Sequence, residues 1–171
     1  MVRSIVIKVL LLPFSLLYGV GVAVRNFLYQ NNFLNSIGFS IPVISVGNLT
    51  VGGAGKTPHV EYLINLLKPY LNVTTLSRGY KRKTKGFLEV QPTHTAHVAG
   101  DEPVQFKRKN PDIGVFVDES RVFGIPRIIT QYPDTQLVIL DDAFQHLSVK
   151  PGLNILLTEF ERPFTRDWLL P

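Results

Sequence analysis

The stretch "VGNLTVGGAGKTPHVEYL", Val46 to Leu63, constrains the chain more than any other, because it joins an apolar, β-branched run to a glycine turn and then to a helix former. "PVISVGN", Pro42 to Asn48, reads as a buried strand meeting a turn. Pro58 suits an early helical position, and Val60, Leu63, Ile64 and Leu67 recur at helical spacing until Pro69 stops the helix. Strand, glycine turn and helix in that order are the setting of a phosphate-binding loop. Gly52, Gly53 and Gly55 admit backbone N–H groups close to phosphate oxygens, at the positive end of a helix. Lys56 would reach the β- and γ-phosphates and the Thr57 hydroxyl would bind Mg²⁺. The expected nucleotide-binding run is therefore Thr50, Val51, Gly52, Gly53, Ala54, Gly55, Lys56 and Thr57, with ATP and Mg²⁺ as ligands. The general pattern G-x-x-x-x-G-K-[ST] has glycine where this chain has Thr50, but the three glycines nearest the phosphate are intact. The plain alternative is a glycine-rich turn with an incidental lysine.

The rest of the chain alternates strands and helices. Strands are expected at Asn72 to Ser77, Phe87 to Gln91, Ile113 to Asp118, Gln136 to Asp142 and Leu153 to Phe160. A short helix is expected in "DEPVQFKRKN" and a longer one from Glu119 to about Gln131. This is how a parallel sheet with crossover helices looks in sequence, so the prediction is a three-layer α/β domain with a mainly parallel sheet over 31–171. At 171 residues one such domain fits and two do not. Cysteine is absent, which excludes a disulfide framework, a thiolate metal site and a cysteine nucleophile.

A phosphate loop needs a carboxylate at the end of a neighbouring strand to hold the metal. Leu137 to Leu140 followed by Asp141 and Asp142 meets that need, with either aspartate as direct or water-mediated ligand beside Thr57. The plain reading is a solvated pair ending a strand. In "AGDEP", Asp101 is either the N-cap of a helix opened by Glu102 and Pro103 or a base that accepts the proton of an attacking hydroxyl. His146, four residues past Asp142, either supports the metal site or caps a turn. His94 and His97 read as loop residues and His59 as helix surface. The chain carries a net charge of +5, and Arg78, Lys81, Arg82, Lys83 and Lys85 fall within eight residues that include no acid. That turn is either a solvated loop or an anion site.

From Val9 to Val24, sixteen residues carry no charge, between Arg3 and Lys8 on one side and Arg25 on the other. As a helix this run is about 24 Å long, short of the roughly 30 Å hydrocarbon core. Residues 1–30 are therefore expected to form a helix that dips into or lies on a membrane, with a removed signal or a helix packed on the domain as alternatives. Its basic flanks, with the basic turn, would face lipid headgroups.

Taken together, "SVGNLTVGGAGKTPHVEYL", "LSRGY", "AGDEP" and "LDDAFQH" after an apolar N-terminal helix resemble the tetraacyldisaccharide 4'-kinase (lipid A 4'-kinase) family across nearly the whole chain. Thr or Ser at the position of Thr50 is a trait of that family. The resemblance implies a P-loop kinase on the cytoplasmic face of the bacterial inner membrane, peripheral or monotopic, that moves the ATP γ-phosphate to the 4'-hydroxyl of a lipid A disaccharide precursor. It implies Lys56 and Thr57 on phosphate and Mg²⁺, Asp141 and Asp142 in the metal and active-site cluster, Asp101 as catalytic carboxylate, and His146 near the site. No nucleic-acid partner is expected. Ala143 stands where the family has glycine in D-D-G-F-Q-H, which strains the turn if that position needs a positive φ. "RDWLLP" resembles the lead-in to a further family segment, so the second lobe of the family is expected to be missing and the chain to be a fragment. The competing readings are a membrane-attached P-loop ATPase switch, whose signature lysine is replaced here by Val51, and a non-catalytic nucleotide- or lipid-binding remnant.

Overall fold

The computed structural model describes residues 17–31, 33–49, 55–160 and 163. Thr50, Val51, Gly52, Gly53 and Ala54 of the expected nucleotide-binding run lie outside the described residues, as do 1–16 of the apolar N-terminus and the terminal "RDWLLP". The first described element is helix α1, residues 17–30, which ends where the Asn31 side chain donates to the Phe27 carbonyl at 2.9 Å. Leu17, Tyr18, Val20, Val24 and Phe27 on it are exposed. Among the described residues, no helix is long and apolar enough to cross a membrane.

The sheet follows: β1 Val43–Asn48, α2 Lys56–Leu67, β2 Val73–Ser77, β3 Leu88–Glu89, α3 Ala96–Ala99, α4 Asp101–Lys109, β4 Gly114–Val117, α5 Arg121–Gln131, β5 Leu137–Asp141 and β6 Leu153–Leu157. Six strands lie in the order β3-β4-β2-β5-β1-β6. All pairings are parallel except β3 with β4, which is antiparallel. The three central strands are buried on both faces, which is why "LVILD" and "VISVGN" read as near-continuous apolar runs rather than alternating ones.

Alternation is still present, between two buried cores rather than between core and water. Leu137 and Ile139 of β5 join Val115 and Val117 of β4 on the face covered by α2 (Val60, Ile64) and α4 (Val104, Phe106). Val138 and Leu140 join Phe116 on the other face, under Ile125 and Ile128 of α5. The result is the expected three-layer α/β arrangement. Each fully buried aliphatic side chain contributes about 1.5–3 kcal/mol relative to exposure, so both faces of β5 matter. The linker over 33–40 is not free of the domain: Ile37 forms a parallel bridge with Val149, its N–H donating to Ser148 O at 2.9 Å.

Two glycines fix how the motifs meet. Gly79 (φ 70°) and Gly100 (φ 95°) face one another, and a Cβ on Gly100 would lie 3.0 Å from the Gly79 backbone. A Cβ on Gly79 would lie 2.8 Å from the Ala99 carbonyl and 2.5 Å from Arg82 Cδ. Thus "SRGY" and "AGDEP" touch main chain to main chain, which no other residue type permits. Gly86 also has a positive φ, 74°, but a Cβ there meets nothing within 4 Å. Gly86→Ala is therefore expected to cost only the left-handed backbone penalty, about 1–2 kcal/mol. Gly79→Ala should cost about 1–3 kcal/mol more, through the added clash. Urea unfolding of the two variants checks the difference; equal losses would show that the contact is not tight.

Candidate active site

The cleft forms where an open parallel sheet places ligands, outside the carboxyl ends of its strands. It has a volume of about 330 Å³ and is lined by the ends of β1 (Asn48), β2 (Ser77, then Arg78 to Tyr80) and β5 (Asp141, Asp142). Lys56 at the start of α2, Glu102 at the start of α4, Arg121 at the start of α5 and His146 complete it.

Gly55 is the N-cap of α2 in the left-handed conformation (φ 76°, ψ 24°), as a glycine before the lysine of a phosphate loop should be. Its carbonyl is 2.8 Å from His59 Nδ1, so His59 fastens the turn rather than standing on a bare helix surface. Lys56 Nζ donates to Asn48 Oδ1 at 2.9 Å and pairs with Asp142 Oδ1 at 2.9 Å. Thr57 Oγ1 donates to Glu102 Oε1 at 3.3 Å. The lysine and threonine expected to meet phosphate and metal thus rest on the acidic residues of the same cleft.

Asp141 is fully buried, and neither carboxyl oxygen has a hydrogen-bond partner. Burial pushes its pKa up to about 7; Glu102 and Asp142 add repulsion, and Lys56 and Arg121 oppose it. Asp142 has φ 53°. The strain expected of Ala143 is absent: the positive φ falls one residue earlier, and Ala143 is buried in the core under α5. Asp can adopt this conformation at modest cost. Arg121 is also buried. Its Nη1 donates to the Asp118 and Glu119 carbonyls at 3.3 Å each, and its Nε has no partner. Burial lowers its pKa to about 10, with Arg78 adding to the shift and the aspartates opposing it. His146 is lowered to about 4 by burial and by Arg121 and Arg78, so its imidazole is neutral at pH 7.

The orphaned oxygens of Asp141 fit a cation. Among the described residues, no three His, Cys, Asp or Glu side chains are grouped to hold a metal by themselves. Mg²⁺ does not need such a cage, since it keeps waters and takes one or two carboxylates plus substrate phosphates. Thr57, Asp141 and Asp142 are the side chains placed to supply those contacts.

The structure brings Lys56, Thr57, Asp141, Asp142 and His146 together as expected. It does not bring Asp101 with them. Asp101 is exposed and lines a separate shallow groove with Thr95, Val104 and Arg108, while its neighbour Glu102 turns into the cleft. Nor is Asp101 the N-cap of α4: Gly100 is, and Asp101 is the first helical residue. Sequence reasoning missed Glu102 and Arg121 as cleft residues. Glu102 had a signal, a second acid in "AGDEP"; Arg121 had none, because only the fold buries it.

The sequence model of the family described as LpxK, tetraacyldisaccharide-1-P 4'-kinase, matches residues 7–171. The chain belongs to this family. A tetraacyldisaccharide 4'-kinase from Porphyromonas gingivalis is 53% identical over 161 residues, 93% of this chain and 45% of the relative. That of Flavobacterium johnsoniae is 47% identical over 96% of this chain and 48% of its own. The crystal structure of LpxK from Aquifex aeolicus in complex with ATP superposes with a TM-score of 0.80 at 44% identity, over 91% of this chain and 49% of that one. The chain spans about half the length of the relatives it matches.

Asp141 and His146 are shifted in opposite directions. A carboxyl raised to about 7 keeps its proton in the folded state while the unfolded one ionises near 3.9, so Asp141 lowers stability as pH rises from about 4 to about 7. His146, lowered to about 4, stays neutral while the unfolded imidazole protonates below about 6.5, so it lowers stability as pH falls through that window. Asp141→Asn removes the first effect alone. Its stability relative to the parent should grow from near zero at pH 4 to on the order of 2–4 kcal/mol above pH 7. Urea unfolding across this range checks it, and a constant difference would refute the buried carboxyl.

Proposed function

We propose that this chain forms the nucleotide- and metal-binding half of an ATP-dependent kinase whose acceptor is the 4'-hydroxyl of a tetraacyldisaccharide 1-phosphate, a lipid A precursor. The observation that carries this reading is the 2.9 Å pair between Lys56 and Asp142 beside the unpartnered carboxyl of Asp141. Lys56, the first residue of α2, is held there by an exposed aspartate whose neighbour in sequence is a buried one.

In this reading the β- and γ-phosphates of ATP draw Lys56 from Asp142, and the amides of the glycine turn and the α2 N-terminus share the phosphate charge. Thr57, Asp141 and Asp142 would hold Mg²⁺, which would supply charge neutralisation on the phosphates. The acceptor hydroxyl attacks the γ-phosphorus, its O–H proton passes to a carboxylate, the bond to the β-phosphate oxygen breaks and ADP leaves. Asp101 is the proposed base. Asp101 lines a groove apart from the cleft, so this role requires the start of α4 to turn it toward the acceptor hydroxyl. Arg78 and the buried Arg121 also line the cleft and supply positive charge suited to the acceptor's own phosphate.

The position of α1 supports a lipid acceptor. Tyr18, Val22 and Arg25 form a small cavity with Leu49, Phe144 and Gln145, and these last three also line the main cleft. An exposed apolar helix face next to the cleft suits a membrane surface, and the reading places the protein on the cytoplasmic face of the inner membrane, peripheral or monotopic.

The test is transfer of ³²P from [γ-³²P]ATP to tetraacyldisaccharide 1-phosphate in mixed micelles. Lys56→Ala is expected to lower transfer by about 10²–10³-fold, the scale of losing one preorganised charge donor. Vesicle binding with no transfer by the parent protein, unaffected by Lys56→Ala, would replace this reading with a lipid-binding one.

A further inference from the structure

We infer that Arg82 and Glu119 form a positioning clamp, which fixes the basic turn against the start of α5 and so sets the affinity of the cleft for the acceptor's phosphate; this rests on the reading that Arg78 and Arg121 receive it. Along the turn, Lys81, Lys83 and Lys85 are exposed, whereas the Arg82 side chain is only 2% exposed. Burying an arginine inside a run of solvated lysines demands a partner. Arg82 Nη2 donates to Glu119 Oε1 at 2.6 Å and to the Gly86 carbonyl at 2.6 Å, and the Gly86 N–H donates to Glu119 Oε2 at 2.9 Å. Nε and Nη1 of Arg82 make no hydrogen bond, so the two contacts of Nη2, to Glu119 and Gly86, carry the whole of its pairing.

Both ends of the clamp reach the cleft. The Arg82 N–H donates to the Gly79 carbonyl at 3.1 Å, and Gly79 lies between Arg78 and Tyr80, all three lining the cleft. At the other end, the Glu119 main-chain carbonyl accepts from Arg121 Nη1 at 3.3 Å. One residue therefore holds the turn that carries Arg78 with its side chain and restrains Arg121 with its backbone. Further contacts fasten the same segment: the Lys83 N–H donates to His97 O at 2.7 Å, and Phe87 stacks on Phe116 with centroids 5.4 Å apart. Two like charges held near each other in advance bind a phosphate with less ordering cost than two mobile ones, which ties the clamp to affinity rather than to the transfer step. Nothing in the clamp touches Lys56, Thr57 or the aspartates.

The experiment is calorimetric titration of the parent, Glu119→Gln and Arg82→Lys with two probes, α-D-glucosamine 1-phosphate and Mg·ATP, alongside amide hydrogen exchange. Glu119→Gln keeps the shape and removes the charge. It is expected to weaken glucosamine 1-phosphate about tenfold, to leave Mg·ATP within about twofold, and to speed exchange of the Gly86 amide. Arg82→Lys keeps the charge but shortens the reach to Glu119 and Gly86 and should fall between. Equal loss of both probes would mean a general structural role and overturn the proposal. So would unchanged glucosamine 1-phosphate affinity in Glu119→Gln beside a parent that binds it, or unchanged exchange at Gly86. A parent that binds Mg·ATP but not glucosamine 1-phosphate would instead overturn the acceptor reading, and the clamp's proposed role with it.

Discussion

The site turns on one electrostatic constraint: a carboxyl group, Asp141, buried at the end of a central strand with no hydrogen-bond donor. Such a group is costly in a folded protein unless it is neutral or faces a compensating charge. Its neighbours supply both outcomes. Repulsion from Glu102 and Asp142 favours the proton, and Lys56 and Arg121 favour the ion. The geometry around it makes sense as a place kept ready for a cation and a polyanion together. Packing two faces of β5 against α2, α4 and α5 is what holds that carboxyl out of water.

Much of this was legible in the sequence because it rests on local chemistry. A run such as "LVILDD" names a buried strand ending in acid, and "GKTP" names a glycine turn that leads into a helix with proline near its start; both stand as read. Features that depend on long-range geometry were not legible. Helix α3 spans only Ala96–Ala99, too short for any periodicity, so its residues read as loop. Strand β3, Leu88–Glu89, falls within the strand expected at Phe87 to Gln91, but its antiparallel pairing with β4 had no local signal. Asp101 and Glu102 are adjacent in sequence, yet a helix turns about 100° per residue and sends them to different surfaces. The left-handed residue of the "DDAF" turn proved to be Asp142, because the family's glycine marks a tight turn without saying which residue bears the unusual φ.

Arg121 shows the limit most clearly. Nothing in "ESRVFG" sets this arginine apart from Arg127 one helix face away, but strand β4 delivers it under the cleft and the fold removes its water. Its guanidinium then depresses the His146 pKa, an effect between residues 25 positions apart in sequence. The basic turn was likewise readable only as a choice between solvated loop and anion site. Structure divides it residue by residue, three lysines to solvent and one arginine inward.

The contact of Lys56 with Asp142 sets an intramolecular anion against the lysine. A carboxylate tethered 2.9 Å from the ammonium acts at high effective concentration, so a phosphate that reaches Lys56 must displace it. Exchange weakens binding of substrate and product alike. On the proposed kinase reading, an acid that takes back the lysine as the product phosphate leaves would ease its release.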